Sequence, residues 1–220
     1  MTQESHRVRD PEAVRTSVLD AALRLFAERG FAETSLRDIS AASGVSHPLI
    51  LHHFGSKDAL FAAVKRRVVE GYVQRFPAAA KATNRPINIR VEMRRIMTYV
   101  SENELALRLC ARTRADGDYQ VWPGEPDWLD LIRQRIEVAQ KKHLLRDDLD
   151  ATLLSIMIFG LVEFWLDSKQ YFAQRFNKLP DNDEYLRTAI KLIEEGLLPR
   201  AEAAGSSRKS PTTSSTDDVG

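Results

Sequence analysis

The apolar residues of this chain recur at intervals of three and four residues over most of its length. Val14, Val18 and Phe26 belong to the first such series, which predicts an amphipathic helix because this spacing puts side chains on one helical face. Asp10 is a favourable residue for the start of that helix, and Gly30 for its end. The first predicted element is therefore a helix between these two residues.

Comparable series continue along the chain, separated by breaks that contain glycine, proline or aspartate. They predict helices over residues 35–43, 46–54, 57–76, 87–100, 105–115, 128–143, 151–176 and 184–198. No stretch reads convincingly as a strand, and no internal repeat appears. The pattern therefore predicts an all-α fold.

Residues 34–60 have the pattern of two short helices joined by a tight turn and followed by a longer helix. Gly44 interrupts the apolar series, Val45 supplies an apolar residue in the turn, and Ile50 continues the series on the second helix. A glycine in the turn and a small residue at the crossing, here Ser40, let two helices meet at a fixed angle. Thr34 is predicted to cap the first helix. This arrangement is typical of a helix-turn-helix, whose second helix enters the major groove of DNA.

This unit lies within a longer series of characteristic residues. In chain order it comprises Phe26, Gly30, Phe31, Thr34, Ile39, Gly44, Val45, Ser46, His52, Phe54, Lys57 and Leu60. With these anchors, residues 11–60 resemble the DNA-binding domain of the TetR family of transcriptional regulators, which are tetracycline-repressor-like proteins. Beyond residue 70 the resemblance rests on the layout of the helices. It implies dimerisation through the last two helices and an effector cavity in the C-terminal helical domain.

Eight residues in and around the helix-turn-helix are predicted to bind DNA. Ser46 is expected to begin the recognition helix, whose free N–H groups then face the phosphate backbone. His47 lies near the start of that helix, where a side chain could reach a base edge, and Leu49 could contact a thymine methyl group. The resemblance implies phosphate contacts for His52 and Lys57. The full set is Thr34, Ser35, Arg37, Ser46, His47, Leu49, His52 and Lys57.

Neighbouring residues of the recognition helix depart from the family pattern. Pro48 replaces a small residue and lacks the N–H group that could donate to a phosphate. Leu51 stands where the family often has a tyrosine, so a hydroxyl group is lost, and Leu49 replaces a threonine. His53 is interpreted as a solvated or packing residue. The sequence thus predicts a DNA-binding surface with fewer polar contacts than the family pattern.

The last two predicted helices are rich in apolar residues. Residues 151–176 are apolar nearly all round over their first half, with one stripe through Leu154 and another through Leu153, Met157 and Gly160. Such a helix must be covered on several sides, which predicts a four-helix interface between two copies of the chain. The residues assigned to this homodimer interface are Leu154, Ile158, Leu161, Trp165, Leu186, Ile190, Ile193 and Leu197.

Sulfur-containing and aromatic residues of the C-terminal half could line a cavity for a small-molecule effector, as the resemblance implies. Residues of these types at helical spacing can equally form ordinary core. Arg108 could bind an anionic group or form a surface pair with Glu104. Glu163 lies among apolar residues, and burial would require a partner for it. The pocket candidates are Met93, Met97, Arg108, Cys110, Trp122, Trp128, Phe164 and Trp165.

The charge balance is not that of a protein that coats nucleic acid. The 220 residues carry a formal net charge of +1, so DNA binding must depend on a few placed groups. The single cysteine, Cys110, excludes an intrachain disulfide and fits a reducing compartment. We expect no cofactor, no metal site and no segment apolar enough to cross a membrane. The predicted location is the cytoplasm.

The predicted organisation has four parts: a flexible N-terminal arm (1–9), a helix-turn-helix DNA-binding domain (10–56), a helical ligand-binding and dimerisation domain (57–198) and a disordered tail (199–220). The predicted function is a ligand-responsive repressor that binds a palindromic double-stranded DNA operator as a homodimer. One alternative is a regulator controlled by a partner protein or by its abundance. Another is an all-helical enzyme or small-molecule carrier with a vestigial helix-turn-helix, although no arrangement of catalytic residues is recognisable.

Overall fold

The computed structural model describes residues 10–76, 84–123 and 128–198. Within these ranges the chain forms nine α-helices and no strand, which confirms the predicted all-α fold. The predicted N-terminal arm and C-terminal tail lie outside the described residues. The helices are α1 (Pro11–Arg29), α2 (Leu36–Ser43), α3 (His47–Phe54), α4 (Lys57–Arg75), α5 (Ile89–Glu102), α6 (Glu104–Ala115), α7 (Trp128–Lys141), α8 (Ala151–Ala173) and α9 (Asn182–Leu197).

Short polar side chains account for several of the helix starts. Asp10 accepts a hydrogen bond from the backbone N–H of Glu12 at 3.0 Å and begins α1. Ser56 accepts one from the N–H of Ala59 at 3.0 Å and begins α4. These caps satisfy backbone donors that have no partner in the first helical turn. The starts of α1 and α4 are therefore as predicted.

A first hydrophobic core joins α1 to α2, α3 and α4. Phe26 of α1 is fully buried in it, and its ring centre lies 4.8 Å from that of Phe61 on α4. The ring of Phe31 lies 4.9 Å from Phe61 on another side. Leu109 of α6 is buried in the same core. Helix α6 therefore packs against α1 and links the C-terminal helices to the N-terminal ones.

Gly30 ends α1 where α1 and α6 meet. Its φ of +86° lies in the region that favours glycine. A Cβ atom at this position would lie only 2.6 Å from Nε of Arg112 and 2.7 Å from Oδ2 of Asp116. These two side chains form an ion pair at 3.2 Å near the end of α6. The backbone conformation thus favours glycine at this position, and a larger residue would also displace the ends of these two side chains.

A second hydrophobic core lies between α5, α7, α8 and α9. Glu92 of α5 and Arg135 of α7 form an ion pair at 2.7 Å inside it, with side chains only 1% and 7% exposed. Oε1 of Glu92 and Nε of Arg135 are buried and have no hydrogen-bond partner among the described residues. Burial of a charged pair removes its hydration. The second core therefore contains an ion pair whose hydrogen-bonding atoms are only partly satisfied among the described residues.

Helix α4 connects the two cores. Leu60 and Val64 near its start are buried in the first core, whereas the ring of Tyr72 near its end lies 4.8 Å from that of Tyr99 on α5. The helix is continuous between these contacts. The division of the chain at residue 57 remains a prediction, since α4 and Leu109 of α6 both contribute to the first core.

Candidate nucleic-acid interface

Helices α2 and α3 form the helix-turn-helix. Gly44 follows α2 with a φ of +66°, the left-handed conformation that a tight turn requires. The hydroxyl of Ser40 donates to the carbonyl oxygen of Val45 at 2.6 Å across the turn, and Ser17 of α1 donates to the carbonyl of Ser43 at 3.1 Å. Val45 itself is buried. The turn is thus held both from within and by α1.

The N-cap of α2 is Ser35. Its side chain accepts a hydrogen bond from the N–H of Asp38 at 3.2 Å, and the Asp38 carboxylate accepts one from the N–H of Ser35 at 2.8 Å. This reciprocal arrangement is a capping box. The hydrogen bonds from Ser35 hold the pKa of Asp38 below its ordinary value. Ser35 and the exposed Arg37 both lie at the first turn of α2.

The prediction that Thr34 caps α2 is wrong. Its side chain is 1% exposed, and its hydroxyl lies 2.8 Å from the carbonyl oxygen of Gly30 and 3.3 Å from that of Leu25, to which it can donate. The end of a helix leaves carbonyl groups without partners, and the hydroxyl of Thr34 satisfies such groups at the end of α1. Ser35 is the N-cap of α2 instead. Because the side chain of Thr34 is buried, it is not assigned to the DNA-binding surface.

Helix α3 presents a short exposed face. Pro48, Leu51 and His52 are exposed on it, and His47 is half-buried beside them. Leu49 packs partly against the first core, so it is poorly placed for the predicted thymine contact. Leu51, at 38% exposure, is the leucine that faces outward. The apolar element of this face is therefore Leu51.

Two further predicted DNA-binding residues flank α3. Ser46 is the N-cap of α3, as predicted, but its side chain makes no capping hydrogen bond and is exposed. Lys57 begins α4, and its Nζ atom lies 4.3 Å from the centre of the Phe31 ring and 3.4 Å from the carbonyl oxygen of Ala32. These contacts hold the Lys57 ammonium group over the turn between α1 and α2.

The two adjacent histidines of α3 have different surroundings. The ring centres of His52 and His53 are 5.7 Å apart, and His53 is half-buried with its ring 6.4 Å from that of Phe54. The guanidinium group of Arg15 on α1 lies over this same Phe54 ring, 4.8 Å from its centre. These contacts agree with a packing role for His53. In the described ranges, no group of three or more His, Cys, Asp or Glu side chains could hold a metal ion.

A cavity of about 130 Å³ lies between α4, α5, α6, α7 and α8. Burial raises the pKa of Tyr99 to about 12 and that of Tyr72 further above the ordinary range. Both phenols are therefore protonated near neutral pH. The aromatic, sulfur and charged groups on the wall belong to Tyr72, Tyr99, Cys110, Trp122, Phe159 and Glu163.

Glu163 is the charged group of this cavity. Its side chain is 15% exposed, and its Oε1 atom accepts a hydrogen bond from Nη2 of Arg114 at 2.7 Å. The prediction that a buried Glu163 needs a partner is thus confirmed. Cys110 and Trp122 line the cavity as the sequence suggested, whereas Tyr72 and Tyr99 were not among the candidates. Their inward position depends on how α4 and α5 pair, which no motif indicates.

The other pocket candidates lie elsewhere. Met93, Met97 and Trp165 are buried in the second core, because helical spacing identifies an apolar face but not the helix that covers it. Arg108 and Phe164 are exposed on the outside, away from the cavity. The side chain of Trp128 lies outside the described residues. None of the first five residues lines this cavity, although Met97 and Trp165 line a separate pocket between α5, α8 and the start of α9.

The predicted dimer stripe is turned inward. Most of its members are buried in the second core of their own chain, namely Leu154, Ile158, Trp165, Leu186, Ile190 and Leu197, while Ile193 is half-buried and Leu161 is exposed. The prediction is wrong for the six buried residues, because both stripes of α8 are equally apolar in sequence, and it stays a prediction for Leu161 and Ile193. The aliphatic and phenylalanine side chains that α8 and α9 expose are those of Leu153, Ile156, Met157, Leu161 and Phe164 of α8 and Leu192 of α9.

Helix α8 is long and apolar enough to cross a membrane by length and composition alone. The expectation that no segment reaches this threshold is therefore wrong. In the most apolar window of the helix, which has a mean hydropathy of 1.5, 39% of the residues are buried inside the structure. Helix α8 packs against α5 and α7, and its buried side is that of a core helix.

The capped α2, the glycine turn and the exposed α3 define a DNA-binding transcription regulator of the helix-turn-helix class. The family model described as "Bacterial regulatory proteins, tetR family" matches residues 18–64. HTH-type transcriptional repressor Rv1474c of Mycobacterium tuberculosis is 45% identical over 190 residues, which cover 86% of this chain and 82% of that protein. The chain belongs to the tetR family of bacterial regulatory proteins.

Two further similarities support this assignment. HTH-type transcriptional repressor Rv3405c of Mycobacterium tuberculosis is 57% identical over 53 residues, which span 24% of this chain but only 28% of that relative. The structure of a putative transcriptional regulator, SCO4942 from Streptomyces coelicolor, has the same fold, with a TM-score of 0.67 at 17% identity over 84% of this chain and 98% of the other. Because the chain belongs to this family and its relatives are named transcriptional regulators, it is a regulator rather than an enzyme.

Proposed function

We propose that this chain is a repressor that binds a palindromic operator as a homodimer and releases it when a small molecule occupies the cavity. The observation that carries the proposal is the double role of α6. Cys110 lines the cavity, and the preceding residue, Leu109, is buried in the core that supports the helix-turn-helix. One rigid element thus contacts both the effector cavity and the DNA-reading unit.

The homodimer is supported by the exposed apolar stripe of α8. Met157 is 62% exposed and Leu153 is 61% exposed, and Leu192 of α9 is 68% exposed. A contiguous apolar surface of this kind is typical of an interface. A Cβ atom at Gly160 or Gly196 would meet nothing within 4 Å in this chain, so a partner helix has room to approach there. A twofold axis at this surface would present two recognition helices to one duplex.

The proposed DNA-binding surface combines predicted and corrected residues. Phosphate contacts are assigned to the exposed or half-exposed polar groups around α3, and the base contact to His47. Leu51 takes the apolar contact that the sequence suggested for Leu49. Palindromic half-sites would lie about one helical turn of DNA, or a multiple of it, apart. The polar residues of this surface are Ser35, Arg37, Ser46, His47, His52 and Lys57.

The response to a ligand follows from a shift between two arrangements of α6. A ligand that fits the cavity better in one arrangement favours that arrangement. Since Leu109 and Arg112 contact the N-terminal helices, a movement of α6 changes the position of the reading unit. This coupling through α6 would add to any coupling through the continuous helix α4. The presence of this cavity favours a ligand-controlled regulator over one controlled only by a partner protein or by abundance.

The DNA-binding part is tested by selecting bound duplexes from a random pool. We expect a palindrome. Lys57→Ala should weaken binding to all sequences alike and reduce its salt dependence, because a phosphate contact carries no sequence information. His47→Ala should relax the preference at particular bases. Tyr119→Ala is a matched control, since Tyr119 is 80% exposed in the loop after α6. Failure to enrich any duplex would contradict the proposal.

The homodimer is tested by sedimentation of Met157→Glu. A carboxylate in the apolar stripe would be buried without a partner on association, so we expect monomers and at least a tenfold loss of operator affinity. Tyr119→Glu makes the same kind of change on a surface outside the stripe and should leave the assembly intact. If Met157→Glu sediments as the unmodified protein does, the interface lies elsewhere.

A further inference from the structure

We infer that the cavity selects a one-ring compound with an uncharged hydrogen-bond donor, a phenol or a similar molecule. The inference rests on the proposed ligand response and specifies the chemical class of the effector. It follows from the volume of the cavity, from its aromatic wall and from the hydrogen bonds of Tyr99, Asn103 and Glu163 on that wall. No single one of these would be sufficient.

The volume limits the ligand to about one ring. The cavity measures about 130 Å³. An apolar protein cavity of roughly 150 Å³ is known to hold benzene, whereas pockets for drug-sized molecules are roughly 300–1,000 Å³. A multi-ring ligand would therefore have to extend out of this volume or force the helices apart. Those helices include α4 and α6, which both reach into the first core.

The wall favours an aromatic ligand over an aliphatic one of the same size. The ring centres of Tyr72 and Tyr99 lie 4.8 Å apart with their planes at 75°, an edge-to-face pair. Trp122 and Phe159 add further aromatic surface to the cavity. Aromatic rings attract each other in edge-to-face and offset arrangements beyond the effect of area alone. A planar ring is thus the best match for this surface.

Two of the donors near the wall are already used. The hydroxyl of Tyr99 donates to the carbonyl oxygen of Val68 at 2.8 Å, and the side-chain amide of Asn103 donates to the carbonyl oxygen of Tyr99 at 2.8 Å. Glu163 supplies acceptor oxygens, and its contact with Arg114 uses one of them. An ionised carboxylate can accept several hydrogen bonds. Glu163 therefore offers an acceptor to a ligand that donates.

The ligand is expected to be uncharged. An anionic ligand would bring a second negative charge beside Glu163 in a mostly apolar cavity, which is unfavourable. Arg114 does not relieve this, since its side chain is 49% exposed and is not among the lining residues. A cationic ligand would have to compete with Arg114 for a carboxylate that is already paired. A neutral O–H or N–H group avoids both conflicts.

The test compares three probes on the full-length protein by isothermal titration calorimetry. Phenol has the ring and the donor, toluene has a ring without a donor, and benzoate has a ring with a negative charge. We expect phenol to bind roughly tenfold or more tightly than toluene, because a hydrogen bond to a charged acceptor is among the stronger ones. Benzoate should bind most weakly. Equal affinities for phenol and toluene, or a preference for benzoate, would overturn the inference.

Variants locate the effect at Glu163. Glu163→Leu should lower the affinity for phenol to that for toluene. Glu163→Gln, which keeps the shape and one acceptor oxygen, should retain part of the preference and covers the case in which the leucine variant does not fold. Arg114→Gln breaks the same ion pair but leaves the carboxylate, so the preference for phenol should persist. A preference that survives Glu163→Leu would assign the donor to another acceptor and refute this site.

The two proposals fail separately. If phenol binds but the selected operator is held equally well with and without it, the ligand class stands and the proposed ligand response is wrong. If the operator is bound normally but none of the three probes binds, the ligand class is wrong and DNA binding is unaffected.

Discussion

The two hydrophobic cores of this chain differ in how completely they are closed. The first is centred on Phe26, and the polar residues buried beside it have partners: Thr34 has carbonyl oxygens within hydrogen-bonding distance, and Lys65 donates to Asp118. The second contains the ion pair of Glu92 and Arg135 with two atoms that lack partners among the described residues. A cavity and an exposed apolar stripe lie on its borders. A fully satisfied core fixes one geometry, as DNA reading requires, whereas an incomplete core leaves room for ligand and partner.

The largest effect that would sharpen this comparison is expected from Arg135→Met. The change leaves the carboxylate of Glu92 buried with Arg95, at 3.4 Å, as its one remaining ionic partner among the described residues. We expect the free energy of unfolding in urea to fall by about 3–5 kcal/mol. Arg90→Met is the matched control, because the pair of Arg90 with Glu194 is exposed and such pairs contribute about 1 kcal/mol or less. Similar losses in both variants would mean that Glu92 is accommodated without Arg135.

The next effect concerns two leucines on α6 that belong to different cores. Leu109 is buried in the first core and Leu107 in the second. Each change to alanine should lower the free energy of unfolding by about 2–5 kcal/mol. Hydrogen exchange distinguishes them: Leu109→Ala should speed exchange in α1, and Leu107→Ala in α5. If both variants loosen the same helices, the two cores unfold as one unit and the comparison fails.

The first core was the easier part to predict, because its determinants are local in sequence. Asp10, Gly44 and Ser56 act on backbone groups within a few residues of themselves, so the chain order alone indicates their roles. The one local error concerned Thr34 and Ser35, two adjacent hydroxyl residues that could each cap α2. The choice depends on a contact of Thr34 with the end of α1, which a local pattern does not contain.

For the C-terminal part, the sequence indicates where the helices lie but not which face of each helix is buried. Leu154 and Leu153 are adjacent and equally apolar, yet one is 8% exposed and the other 61%. Only the packing of α8 against α5 and α7 decides between them. Two aromatic residues of the cavity, Tyr72 and Tyr99, were missed for the same reason, since they come from different helices. Periodicity thus specifies that a face is buried, whereas tertiary contacts specify which one.

A smaller effect tests the local rules within the helix-turn-helix itself. Ser35 and Ser46 are both N-cap residues, but only Ser35 forms a capping hydrogen bond through its side chain. Ser35→Ala should therefore lower the free energy of unfolding by about 1 kcal/mol. Ser46→Ala should change it little while weakening DNA binding, if Ser46 contacts a phosphate. Equal destabilisation by the two changes would show that the hydroxyl of Ser46 also stabilises the fold.

The smallest effect concerns the junction between the cores, where Lys65 of α4 donates to Asp118 in the loop after α6. This hydrogen bond holds the pKa of Asp118 below its ordinary value, so the ionised form stabilises the folded state. The contribution is present above about pH 4 and is lost as the pH falls through the lowered pKa. Asp118→Asn should thus be less stable than the unmodified protein at pH 7, with a difference that shrinks towards pH 3 in urea unfolding. Asp20→Asn, in an exposed pair with Arg67, should show a smaller difference at pH 7. A difference for Asp118→Asn that did not depend on pH would mean that the asparagine changes packing at this junction rather than removing a charge.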